Sequence, residues 1–117
     1  MTLDQVRSFA VRLEWSEFYH YEHPIFIAIQ LGDLELLTMV YDCVYDKTPK
    51  TLNAESLLHV MAQCFCSSAL VDFVMSKMTV DDYECRDNTG MTPLHVAILA
   101  YNFLVCSKYI GVMKNLY

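Results

Sequence analysis

Apolar positions recur along this chain at helical spacing. Thr2-Leu3-Asp4-Gln5 has the form of a capping box, and Val6, Phe9, Ala10 and Leu13 come after it at i, i+3, i+4 and i+7. This predicts an amphipathic helix from residue 3 to about residue 18. Trp15, Phe18, Tyr19 and Tyr21 fall at its junction with the next helix. Short helices in pairs come next. Pro24–Leu31 and 34–44 form the first pair, with Leu36, Leu37, Val40 and Tyr41 on the inward face of the second helix. Residues 45–50 are a polar connector. Asn53 reads as the cap of a helix over 54–65, and Leu70, Phe73 and Val74 carry its partner. Residues 78–89 form an acidic loop containing Asp81-Asp82-Tyr83-Glu84-Cys85-Arg86-Asp87. Helices over 93–100 and 103–113 make the last pair. Met39, Met61, Met75 and Met78 read as core filling. The predicted fold class is all-α.

One stretch recurs. Thr92-Pro93-Leu94-His95-Val96-Ala97 is preceded by Asp87-Asn88-Thr89-Gly90. His23-Pro24-Ile25-Phe26-Ile27-Ala28 fills the same slots, with Gly32-Asp33 beyond it. Ser56-Leu57-Leu58-His59-Val60 fills them again, less closely. His23 to Ser56 is 33 residues and Ser56 to Thr92 is 36. Thr48-Pro49 looks like a further start by composition, but it stands 25 residues after His23 and is out of register.

A T-P-L-H-x-A pattern at this period resembles the ankyrin-repeat family. The resemblance covers about residues 20–117, in repeats of about 20–50, 53–85 and 86–117, with residues 1–19 as an N-terminal capping helix. It implies a short solenoid of about three helix–turn–helix repeats. The slots have physical reasons. Gly90 suits a turn needing positive φ. Thr92 caps a helix with its hydroxyl, and Pro93 sits at the first helical position, where no N–H is missed. Small Ala28 and Ala97 let helices approach closely. In the family the motif histidine bonds the Thr hydroxyl and the backbone of a neighbouring repeat, which the resemblance implies for His95 and His59. Phe26 stands in place of the first such His, and Leu57 in place of the second Pro.

Composition narrows the function. The chain has 117 residues, enough for one domain, with 55% hydrophobic residues and few glycines. Its net charge of −6 argues against nucleic acid, whose binding rests on neutralising phosphate with Lys and Arg. It is compatible with a basic partner surface or with simple solubility. The most apolar run, 96–106, is interrupted by Asn102 and is shorter than the ~18–20 residues of a membrane span. Asp4, Gln5 and Arg7 interrupt the place where a signal peptide would carry its apolar core. Cys43, Cys64, Cys66, Cys85 and Cys106 are odd in number and irregular in spacing, which points to free thiols in the cytoplasm or nucleus.

Reactive constellations are sparse. His59, Cys64 and Cys66 contain metal-ligand types, but five helical residues separate His59 from Cys64, so their side chains diverge. His20-Tyr21-Glu22-His23 also holds ligand types, in a junction where exposed polar residues are the simpler reading. The C-x-C pair lacks a matching second pair. Cys106 with His95 carries no nucleophile motif, and Gly32, Gly90 and Gly111 are isolated rather than clustered in a phosphate-binding loop. The expectation is a non-enzymatic protein-binding module without cofactor or metal, with a zinc- or cysteine-dependent enzyme fragment ranked third, after self-association. The ankyrin resemblance implies contact through finger loops and first helices, here Asp82, Tyr83, Glu84, Arg86, Asn88, Met91, Leu99 and Tyr101. The link after the first repeat and Glu84-Cys85-Arg86-Asp87 are loosely similar to inhibitor-of-κB proteins, which implies a Rel-type transcription factor as one kind of partner. A second expectation is self-association. Val105, Tyr109, Ile110, Met113 and Leu116 form an apolar stripe that a second copy, a partner, further repeats after Tyr117 or packing of the chain end on itself would cover.

Overall fold

Side-chain caps decide where the helices begin. The computed structural model describes residues 23–116, so the capping helix expected near the N-terminus, with Trp15, Phe18, Tyr19 and Tyr21, lies outside the described residues. Pro24 takes the first position of α1 (Pro24–Leu31), and His23 Nδ1 accepts the Ile25 N–H at 3.2 Å. Asp33 caps α2 (Leu34–Cys43) by accepting from the Leu36 N–H. Ser56 caps α3 (Leu57–Gln63), and Ser67 caps α4 (Ser68–Ser76). Thr79 and Asp82 form a reciprocal box at α5 (Val80–Tyr83). Thr92 caps α6 (Pro93–Leu99), and Asn102 stands before α7 (Phe103–Leu116). The regular elements among the described residues are all helices, with no strand among them.

Several helix limits differ from those expected from sequence, most by one or two residues. The helix expected over 54–65 starts at Leu57, and Ser56 rather than Asn53 is its cap. The cause is local. The Thr51 hydroxyl accepts the N–H groups of Asn53 and Glu55, the Ala54 N–H bonds the Thr51 carbonyl, and Ala54 adopts φ 61°. That knot of hydrogen bonds holds 51–55 as a turn. The acidic loop, expected to be irregular, contains α5. The last helix continues past Met113 to Leu116.

α1 packs on α2 and on α3, α3 packs on α4 and on α6, and α6 packs on α7. Ala28, Ala62 and Ala97, all fully buried, keep side-chain bulk low along the first helices of the pairs. Ile25, Phe26, Ile29, Leu37, Leu58, Met61, Leu70 and Val71 fill the space between them. Phe26, in the slot where the motif has His, is buried as an ordinary apolar core residue.

Candidate functional site

The motif histidines organise the backbone. Ser56 N–H donates to His59 Nδ1 at 3.1 Å, and the Ser56 hydroxyl lies 2.9 Å from the same nitrogen. A nitrogen that accepts a backbone N–H carries no proton, so the proton is on Nε2. Nε2 lies 2.7 Å from the Met91 carbonyl and donates to it. His59 is fully buried and thereby ties α3 to the chain entering α6. His95 repeats the local half of this arrangement, with Nδ1 accepting the Thr92 N–H at 3.2 Å and lying 2.8 Å from its hydroxyl, but it is exposed.

The acidic loop of residues 78–89, here called the finger, is more internally committed than its acidic sequence suggests. Asp87 Oδ1 accepts the N–H groups of Thr89 and Met91 and the Thr89 hydroxyl, and these bonds hold its carboxyl below the usual carboxylate range. Gly90 closes this turn at φ 85°. Arg86 Nη1 donates to the Gly90 carbonyl at 2.7 Å. Asp82 is half-buried and caps α5 through the Thr79 N–H and hydroxyl. Glu84 and Asn88 are exposed, and Met91 is half-buried.

Tyr83 departs from the expected exposed contact. It is only 4% exposed, because α5 folds the finger back over α7. Its hydroxyl donates to the Met75 carbonyl at 3.2 Å, and its ring meets Tyr109 edge-on at 5.1 Å. Burial pushes the Tyr83 phenol up, and pushes Tyr109 up to about 12. The stripe expected to serve self-association is corrected by the same packing, which covers it from within the chain. Val105 and Tyr109 are core residues, and Met113 is half-buried against the core. They recur along the core-facing side of α7, while Phe103 and Ile110 point outward.

Large apolar side chains are exposed elsewhere, at the turns within each helix pair. Leu31 ends α1, Phe65 lies between α3 and α4, and Leu99, Tyr101 and Phe103 flank the turn from α6 to α7. Hydrogen bonds order these turns. Cys66 Sγ donates to the Ile29 carbonyl at 3.4 Å, which joins the α3–α4 turn to the end of α1. Asn102 Nδ2 donates to the Ala62 and Cys64 carbonyls at 3.1 and 2.9 Å, which joins the α6–α7 turn to the end of α3. The role of Asn102 is not apparent from sequence. Its one signal was a polar side chain interrupting the most apolar run.

The first and third of these turns share one backbone geometry. Gly32 N–H bonds the Ile29 carbonyl and Asp33 N–H the Ala28 carbonyl. Tyr101 N–H bonds the Ile98 carbonyl and Asn102 N–H the Ala97 carbonyl. This is a Schellman ending, whose left-handed residue is usually glycine. Gly32 fills it at φ 69°. Tyr101 fills it at φ 56° with a side chain 76% exposed.

Reactive groups are engaged or dispersed. Both His59 nitrogens are bonded, and burial raises the Cys64 and Cys66 thiols. The cysteines are unpaired and half-buried. Among the described residues no three His, Cys, Asp or Glu side chains converge on a common point. No helix among them is long and apolar enough to cross a membrane. No protein-family model matches this chain, and no curated protein matches it.

Proposed function

We propose that this chain is an ankyrin-like protein-binding module whose contact surface is the row of turns carrying Leu31, Phe65, Leu99, Tyr101 and Phe103. The observation that carries the reading is Tyr101. A bulky residue in the left-handed region costs about 1 kcal/mol relative to glycine. The same turn is built at Gly32 without that cost. The aromatic ring is not recovered as core packing, because it faces solvent. Local strain combined with an exposed aromatic fits a recognition residue.

The 33-residue recurrence and the His59 bond between adjacent helix pairs support the ankyrin-like reading of the stack. The partner fits as a protein segment with both apolar and basic side chains. No Lys or Arg occurs between residues 51 and 76 or between 87 and 107, whereas Asp33 and Glu35 are exposed beside the first turn. A Rel-type factor is one class of partner within that description. Glu84, Arg86 and Asn88 of the finger stand outside the proposed contact.

The test compares wild type, Tyr101→Gly and Phe65→Ser in parallel pull-downs and urea melts. Tyr101→Gly raises stability by about 1 kcal/mol yet loses captured partners, and Phe65→Ser loses the same ones. An unchanged set of partners with both variants removes the turn surface from consideration.

A further inference from the structure

We propose that Cys85 and Lys50 form a peroxide-responsive covalent bridge between the finger and the connector that precedes α3. Lys50 Nζ donates a hydrogen bond to Cys85 Sγ at 2.9 Å across 35 residues of sequence. Both side chains are half-buried, so a small oxidant reaches the sulfur while the surrounding loops hold the pair in place. The contact does not depend on these two side chains alone. Asn88 N–H donates to the Asn53 carbonyl at 2.9 Å, which fixes finger to connector through the backbone. Each loop is also braced internally, the finger by Asp87 and Arg86, the connector by Thr51 and Glu55. Among the described residues no other cysteine receives a lysine hydrogen bond. Cys85 Sγ also lies 4.0 Å from the Arg86 carbonyl, and Cys66 Sγ is turned to the Ile29 carbonyl.

The chemistry balances with hydrogen peroxide as the oxidant. Peroxide takes two electrons from the Cys85 thiol. The O–O bond breaks, one oxygen stays on sulfur as the sulfenic acid, and the other leaves as water. The Lys50 ammonium releases a proton to solvent, and the nitrogen lone pair attacks the sulfur. The S–N bond forms as the S–O bond breaks, and the departing hydroxide leaves as a second water with a proton from nitrogen. The product is a sulfenamide, with the lysine amine in the role that a backbone nitrogen takes in known cases. An added thiol reverses it by attacking sulfur and expelling the amine. Closing the gap from hydrogen bond to bond needs only rotation within the flexible Lys50 side chain. Such a bridge protects the sulfur from further oxidation and locks the finger to the connector.

The test treats the full chain with hydrogen peroxide, digests it and maps the peptides by mass spectrometry. The expected product joins the peptide holding Lys50 to the peptide holding Cys85, lighter than their sum by two hydrogen atoms and released by dithiothreitol. Lys50→Arg keeps the cation but lacks the nucleophilic amine, and it abolishes the product while circular dichroism stays that of wild type. Cys85→Ser does the same. The proposal is overturned if folded wild type yields Cys85 as sulfinic acid, or in a disulfide, without the Lys50 link. An S–O–N product heavier by an oxygen overturns the S–N assignment. Equal yield from urea-unfolded chain overturns the role of the folded geometry.

Discussion

Asn102→Ala probes the joint between the second and third helix pairs. Asn102 is buried and does two things at once. Its Oδ1 accepts the Val105 N–H at 3.3 Å, capping α7. Its Nδ2 donates to the carbonyls of Ala62 and Cys64, which stand at the end of α3 where helical partners run out. Losing an N-cap costs about 1 kcal/mol. A buried acceptor stripped of its partner costs about 1–3 kcal/mol, toward the low end for the half-buried Cys64. Asn102→Ala is therefore expected to destabilise by about 3 kcal/mol, a large part of the 5–15 kcal/mol typical of a domain. Urea unfolding monitored by far-ultraviolet circular dichroism measures it, with an unchanged slope confirming that the same surface is exposed. Asn102→Ser keeps the acceptor for Val105 and recovers about 1 kcal/mol of the loss. Asn102→Asp keeps the cap but turns a carboxylate oxygen toward two carbonyls. It costs at least as much as alanine at neutral pH, and less in acid, where the protonated carboxyl again donates. A loss of only about 1 kcal/mol for Asn102→Ala, with Asn102→Ser at wild-type stability, would refute the reasoning. The bonds across the turns would then contribute nothing.

The histidines supply two further predictions. His59→Ala leaves the buried Ser56 N–H and Met91 carbonyl without partners and opens a cavity, for a loss of about 3–5 kcal/mol. His95→Ala removes only an exposed cap partner, about 1 kcal/mol. Equal losses in parallel urea melts would deny His59 its role between helix pairs. His23 is held down to about 4 by burial, against a smaller upward pull from Asp46. Its folded value lies below its unfolded value of 6.5, so the unfolded chain takes up the proton first. Stability is then full above about pH 6.5, declines as pH falls toward about 4, and changes no further from this source below that. His23→Asn keeps an acceptor for the Ile25 N–H and flattens the decline between pH 6.5 and 5, a window above the range where the lowered Asp87 carboxyl titrates. An unchanged slope in that window would contradict the assignment.

Much of the helical architecture was readable because its signals are local. A Ser, Thr or Asp that can reach an N–H three residues on marks a helix start wherever it occurs. Pro at the first helical position does the same, and so Pro24–Leu31 and the starts at Leu34 and Pro93 come from the chain itself. Even locally, competition obscured one start. Asn53 offered a cap as plausible as Ser56, and the turn that Thr51 forms with Asn53 and Glu55 disqualified it. The ankyrin resemblance implies a bond from the motif histidines to a neighbouring repeat; His59 bonds the Met91 carbonyl, whereas the contacts of His95 are with Thr92.

The surface was less legible, because burial belongs to pairs of distant segments. Tyr83 sits among acids and reads as exposed, yet the docking of α5 on α7 puts its ring against Tyr109. The apolar stripe of Val105 and Tyr109 reads as uncovered, because sequence shows that a face is apolar and not what lies on it. Asn102 reads as an interruption, because the carbonyls it serves are 38 and 40 residues away. Local hydrogen bonding and side-chain periodicity thus set the helices and their order from sequence alone. Which apolar residues were left to solvent, and that Tyr101 stands strained where Gly32 stands free, was decided only when helices far apart in the chain came to share one core.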